Sequence, residues 1–281
     1  MRTPTDISGF LRHIEACRNA LLPGDRLALW IGEARVGWVG PSAAAALRGF
    51  PEIATTKDGF RLTEPAALER IARNLAKRGL SRWRGEAFDV RASPDGPALS
   101  RVDRGALPVL GIQATGVHVN GLVERTDGAH LWVARRAADR ALDPGKLDHV
   151  VAGGISAGLT AAETLVKEAA EEAAIPAALA RRAVPVARIA YAMERPEGLR
   201  RDLLCCYDLT LPAEFLPSAA DGEVESFELW PLSRVLAAVR DTGDFKFNVN
   251  LVLIDLFLRR GLLAGSAGTA LRAALKGKAA G

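Results

Sequence analysis

The 281-residue chain is 49% hydrophobic and 25% charged, which is enough apolar surface for a packed core and excludes wholesale disorder. Its net charge of +4 is spread along the length with no basic block, so nucleic acid is excluded as a partner while an anionic small substrate is suited. Cys17 and the adjacent Cys205 and Cys206 make no disulfide framework and point to a reducing compartment. The first twenty residues carry Asp6 and Glu15 and form neither a signal peptide nor a membrane span, so the expectation is a cytoplasmic, two-domain protein with no membrane partner.

Ile7, Phe10, Leu11, Ile14 and Cys17 fall at helical spacing and predict a short amphipathic helix. "RLALWIGEARVGWVG" predicts a hairpin turning at Gly32-Glu33. "PSAAAALRGF" and "TEPAALERIARNLAKRGL" predict helices, the second capped by Thr63, with Pro65 in its first turn and Gly79 as its stop. "RWRGEAFDVRA" reads as a strand and "SPDGPA" as a turn. These residues form an expected α+β accessory domain, 1–110, with no cluster of histidine, cysteine or carboxylate.

From residue 111 to 281 the pattern changes. Val117–Glu124 and His130–Ala134 read as strands around "RTDGA", and "LDPGKLDHVVAGG" as a loop running into a short strand. A loop and a helix follow, then strands "VARIAYAME" and "DLLCCYDLTL" around "RPEGLRR", strand "EVESFELWPL", and helices "SRVLAAVR" and "NLVLIDLFLRRGLL". Strands in hairpin-like pairs with intervening helices predict an α/β sandwich rather than a doubly wound sheet.

The helix after the glycines, in "GGISAGLTAAETLVKEAAEEAAI", carries the chemistry. Thr160 and Glu163 have capping-box spacing, and Leu165, Val166, Ala169, Ala170 and Ala173 form an apolar stripe. Glu168, Glu171 and Glu172 share a neighbouring face, where like charges at i, i+3 and i, i+4 repel unless water screens them or a cation sits between them. Such a cluster suits a hard divalent ion, Mg2+ or Mn2+, and Gly153-Gly154 lets backbone approach a ligand. The alternative is a solvated acidic face relieved by Lys167.

This stretch resembles the Nudix box, G-x5-E-x7-R-E-U-x-E-E-x-G-U with U apolar. Counted from Gly153, the R-E-U-x-E-E segment falls on Lys167, Glu168, Ala169, Ala170, Glu171 and Glu172, and the last apolar position on Ile175. Leu159 stands at the family's first glutamate, Lys167 at its arginine and Ala174 at its second glycine. The first glutamate and the arginine brace the loop in the family, so these departures bear on loop geometry. The resemblance implies a Nudix α/β/α sandwich and a metal held by Glu168, Glu171 and Glu172 with a backbone carbonyl at Gly153. The longer likeness, including "DGEVESFELWPLSRV" and "FKFNVNLVLIDLFLRRG", is to Nudix proteins related to the domain that some fungi fuse to thiamine pyrophosphokinase. That group implies hydrolysis of thiamine diphosphate, or of oxidised or damaged forms, to the monophosphate. Members carry an N-terminal domain of uncharacterised role, open here to closing the pocket or to a homodimer contact.

The general base is expected among Glu171, Glu172, Glu223 and Glu225, although for the last two a solvated strand-end residue is the favoured reading. Arg135, Arg136, Lys146 and Lys167 are candidates for the diphosphate, since arginine matches phosphate oxygens bidentately. Asn248 and Asn250 either cap the following helix, the favoured reading, or bond a pyrimidine edge. His118 and His149 read as lone structural residues, Trp132 and Trp230 as core, and the Cys205-Cys206 pair as buried filler. A different substrate, such as a nucleoside diphosphate sugar or dinucleotide, and a catalytically silent ligand-binding protein are the competing readings.

Overall fold

The computed structural model describes residues 6–140, 142–219 and 222–277. Helix α1 (Ser8–Ala16) precedes strands β1 (Leu27–Ile31) and β2 (Ala34–Val39), helix α2 (Pro41–Leu47), strands β3 (Ile53–Thr56) and β4 (Gly59–Leu62), and helix α3 (Leu68–Lys77). Strands β5 (Ala87–Val90) and β6 (Ser100–Asp103) and the short helix α4 (Leu107–Leu110) complete the first part. The β1/β2 hairpin joins β4, which runs parallel to β1, and β3 closes the edge in the order β2-β1-β4-β3. Leu68, Ile71, Ala72 and Leu75 form the buried stripe of α3 and pack on Leu29 and Phe60 of this sheet. β5 and β6 form a separate two-stranded ribbon.

Thr63 does not cap α3: its hydroxyl donates to the Glu52 carbonyl (3.0 Å), a 3-10 turn at Pro65–Ala67 intervenes, and the helix begins at Leu68. Proline at the first position of that turn removes a donor the cap would have satisfied.

The second part runs β7 (Gln113–Arg125), β8 (Gly128–Arg136), β9 (Leu147–Asp148), β10 (Val151–Gly154), α5 (Ala161–Ala173), α6 (Ala177–Ala180), β11 (Val184–Arg195), β12 (Gly198–Thr210), β13 (Val224–Pro231), α7 (Leu232–Asp241), α8 (Val249–Arg259) and α9 (Gly265–Lys276). The main sheet has the order β11-β12-β7-β8-β13. β7 is forked: Leu122–Arg125 pair with β8, whereas Gly116–Val119 pair antiparallel with β10. The glycine pair is therefore strand, laid along the first half of β7.

Alternation along β7 sorts its side chains between two cores. Val117, Val119 and Val123 face α5 with Leu165, Ala169 and Ala173, while Leu122 joins α1, α7, α8 and α9 on the opposite face. Helices cover both faces, giving the α/β/α sandwich. Helix α1 belongs to this sandwich rather than to the unit that follows it in sequence: Phe10 and Ile14 are 0% and 2% exposed against α7 and α8. Trp38 and Ala28 of the accessory sheet pack on Ala192 and Leu199 of β11 and β12, joining the two parts. No helix among the described residues is long and apolar enough to cross a membrane.

Candidate active site

The capping box forms in full. The Thr160 hydroxyl accepts from the Glu163 N–H (3.2 Å) and the Glu163 carboxylate accepts from the Thr160 N–H (2.9 Å), which starts α5 at Ala161. Burial of Leu165, Ala169 and Ala173 then fixes the helix rotation, full burial of one leucine alone contributing about 2 kcal/mol. That rotation turns Glu168 and Glu172 inward and Glu171 toward solvent. The Glu168 side chain lies on the glycine backbone: a Cβ at Gly153 would be 2.5 Å from its Cδ. Glu172 is 7% exposed and accepts a hydrogen bond from the Ala152 N–H at 2.8 Å.

Both inward carboxylates are perturbed. Burial pushes Glu172 well above the usual carboxylate range, which the Ala152 N–H offsets only in part while Asp148, Glu168 and Glu223 add to the rise. Burial also raises Glu168, against the opposing effect of Lys167. The cation between the like charges is Lys167, whose ammonium donates to Glu171 (2.6 Å) and Glu168 (3.1 Å). Among the described residues the three glutamates do not bring one oxygen each within 4.8 Å of the others. Lys167 has a flexible stem and a side chain 48% exposed, so it can withdraw from the patch. A buried carboxylate with a single N–H partner, a second one cradled on glycine and an all-oxygen donor set fit a hard divalent ion. Glu168, Glu171 and Glu172, with the Gly153 backbone, would hold it.

These groups open on a cleft of about 1070 Å³ walled by both parts of the chain. The second part contributes Arg136, Arg140, Arg195, Arg200, Arg201 and Lys246, and the accessory part Arg82, Arg84 and Arg104. Arg84 is pushed down by partial burial and, to a lesser extent, by its neighbours Arg82 and Arg104. Sequence reading missed the accessory arginines, although "SRWRGEAF" places Arg82 and Arg84 two residues apart just before a strand. Their distance along the chain from the glutamate helix concealed the link.

The expected phosphate ligands divide. Lys167 and Arg136 line the cleft, but Arg136 is held by Asp148 (2.9 Å) and by the carbonyls of Leu142 and Asp143. Arg135 and Lys146 are not among the cleft-lining residues, because their cationic ends are bound to the carbonyls of Gly145 (3.0 Å) and Gly243 (2.6 Å). Of the two distal acids, Glu223 lines the cleft in an ion pair with Arg140 (2.6 Å). Glu225 sits exposed at a bulge in the β13/β8 ladder, outside the cleft wall.

His118 and His149 are not lone. The antiparallel register of β10 on β7 brings their Nδ1 atoms to 3.1 Å, beside Asp148. Burial holds both imidazoles below their ordinary range, the Lys246 ammonium adding to the drop and the Asp148 carboxylate opposing it. Asp148 is already bound by Arg136 (2.9 Å) and Lys246 (3.1 Å), so two cations occupy the ground a metal would need. This trio is a structural network. Asn248 precedes α8 but its side chain makes no cap; its Oδ1 is buried without a partner, and the residue lines the cleft. The Asn250 amide instead bonds carbonyls of the preceding loop, Lys246 at 3.3 Å among them. Trp132 and Trp230 are buried, each 7% exposed, and Cys206 is buried while Cys205 is half-buried. All three cysteines are free thiols.

A family model described as a NUDIX domain matches residues 114–249, and one described as a domain of unknown function (DUF4743) matches residues 9–114. The chain is 36% identical to Nudix hydrolase 24, chloroplastic, of Arabidopsis thaliana, over 92% of this chain and 74% of that protein. It is also 36% identical to Nudix hydrolase 20, chloroplastic, of the same plant, over 92% and 75%. A crystal structure from Deinococcus radiodurans aligns with 60% of this chain and 97% of its own at 21% identity and a TM-score of 0.47. With the capped glutamate helix, the glycine strand and the sequence identity over nearly its whole length, the chain belongs to the Nudix hydrolase family.

Proposed function

We propose that this Nudix hydrolase cleaves the diphosphate of thiamine diphosphate, or of an oxidised or damaged analogue, to the monophosphate and phosphate, with Mg2+ or Mn2+ at the glutamate helix. One observation carries the reading: a single cleft is lined both by an all-oxygen acidic patch, Glu168, Glu171 and Glu172, and by arginines of both parts of the chain, Arg84 among them. The choice of thiamine rests on the resemblance of the longer stretches.

When bound, the ion supplies Lewis-acid neutralisation of the diphosphate oxygens. The chain's own part is positioning and electrostatics. Arg84 grips non-reacting phosphate oxygens from the accessory side, while Arg104 stays paired with Glu86 (2.9 Å). Water attacks one phosphorus, the P–O anhydride bond breaks toward the departing phosphate, and a carboxylate takes the proton. Of the two distal acids, Glu223 is the one that lines the cleft.

A panel of thiamine diphosphate, its oxidised form, a nucleoside diphosphate sugar and a dinucleotide, assayed with Mg2+ for both free phosphate and organic monophosphate products, tests this. The reading requires kcat/KM for a thiamine compound to exceed the nucleotides by about 100-fold, or about 2.7 kcal/mol. A nucleotide preference overturns the substrate. The second reading, a ligand-binding protein without turnover, is favoured by one observation, the Lys167 ammonium seated between Glu168 and Glu171; tight binding with no product under either metal would establish it.

A further inference from the structure

The loop that carries the chain from the glycine strand to α5 has few ties within its own unit. The Ile155 N–H donates to Thr115 (2.9 Å), and the Leu159 N–H donates to Ser156 (3.1 Å), closing a turn whose third residue is Gly158 at φ +83. That φ is the left-handed value a type II turn gives to glycine. The Leu159 side chain has no polar atom with which to reach α5, and Lys167 is engaged by Glu168 and Glu171 on its own helix.

The remaining hydrogen bonds of residues 155–159 recorded among the described residues go to the accessory unit. The Ser156 hydroxyl donates to Glu86 (3.0 Å), the Ala157 N–H to the Ala87 carbonyl (2.7 Å) and the Gly158 N–H to Asp89 (3.1 Å). The acceptors are themselves fixed: Asp89 by Arg91 (2.8 Å) and Arg101 (3.3 Å), Glu86 by Arg104 (2.9 Å). Phe88 between them presses on Gly154, where a Cβ would be 2.6 Å from its Cζ. Strand β5 thus runs alongside the loop and holds it at successive points.

We propose that Glu86 and Asp89 are positioning residues of the metal site, through which the accessory unit fixes the loop and, with it, the Gly153 backbone on which Glu168 rests. The inference rests on the reading that the glutamate helix holds a divalent ion. Groups behind a metal's ligands routinely set its affinity, and losing one costs about 10- to 100-fold. The brace acts from another part of the chain, so it gives the accessory unit a role in the chemistry without touching substrate.

The test is Mn2+ binding to the full-length protein, followed by electron paramagnetic resonance, with hydrogen exchange at the Ala157 and Gly158 amides. Asp89→Ala and Ser156→Ala each remove one tie; Ser156→Ala alters no charge and guards against misfolding of the first. The expected result is Mn2+ affinity about 10-fold weaker in each variant, faster exchange at the loop amides, unchanged exchange in α8, and affinity largely recovered in Asp89→Asn, which keeps an acceptor for Gly158. Glu172→Gln separates the two claims. If it loses Mn2+ while Ser156→Ala and Asp89→Ala bind as the parent does, the brace is wrong and the metal site stands. If it binds Mn2+ like the parent, the metal reading and the brace fall together.

Discussion

Replacing Gly153 by alanine is the sharpest probe of how the glycine strand serves the glutamate helix. The new Cβ would sit 2.5 Å from both Cγ and Cδ of Glu168 and 2.6 Å from its Oε2, where about 3.5 Å is the closest comfortable carbon contact. The carboxylate therefore retreats by roughly 1 Å. Mg2+ demands near-ideal octahedral geometry at about 2.0–2.1 Å, so a retreat of this size removes Glu168 as a ligand. A misplacement of about 1 Å in a catalytic arrangement can cost on the order of 100-fold, or about 2.7 kcal/mol in the barrier. Stability changes little, because Glu168 is a flexible side chain and Gly153 does not have a left-handed φ. Gly154→Ala is the matched control: its Cβ meets the Phe88 ring at 2.6 Å, an overpacking expected to cost about 1–3 kcal/mol of stability. Metal-dependent phosphate release, Mn2+ affinity and urea unfolding, measured on both variants, separate the effects. Parental turnover and parental Mn2+ affinity in Gly153→Ala would refute the geometry.

Glu172→Gln should abolish most activity yet leave the metal-free protein as stable or up to about 2 kcal/mol more stable, read by urea denaturation, because it removes a buried charge that no cation pairs. The sign with pH follows. Burial raises the folded pKa of Glu172 above its unfolded value, so its contribution is full at low pH and is lost as pH rises through the folded pKa. A bound divalent ion relieves that loss, so the Tm increment from Mg2+ should grow from pH 5 to pH 8, and an increment independent of pH would count against it. His149 has the opposite sense: its folded pKa is lowered by burial, to about 4, so stability falls as pH drops below about 6.5; His149→Asn should flatten that arm of the unfolding profile. Phe10→Ala should destabilise the sandwich by about 3–5 kcal/mol, seen as accelerated hydrogen exchange in α7 and α8, since Phe10 is fully buried against them.

Local signals carried much of the fold. The Thr160/Glu163 spacing, the stripe of α5, the β1/β2 hairpin and the paired strands β11 and β12 each depend on neighbours a few residues away, and each forms as expected. Lys57-Asp58, the turn that leads into Gly59 of the β3/β4 hairpin, is an equally local signal, as is the amphipathic α9. What sequence could not carry is long-range. Phe10 packs in the distant sandwich rather than with its neighbours, His118 meets His149 only through strand register, and Glu86, Asp89 and Arg84 reach the glycine loop or its cleft from a unit that shows no chemistry on its own. Asn248 shows the limit of a local rule: the helix-start position was right, but burial against the cleft, not capping, determines its side chain.

The most direct measurement is a crystal structure of the protein soaked with Mn2+, with the ion located by its anomalous signal. The account places the peak among Glu168, Glu171, Glu172 and the Gly153 backbone, with the Lys167 ammonium swung away from Glu168 and Glu171. A peak at His118, Asp148 and His149 instead, or a glutamate patch still closed by Lys167 at saturating Mn2+, would contradict it.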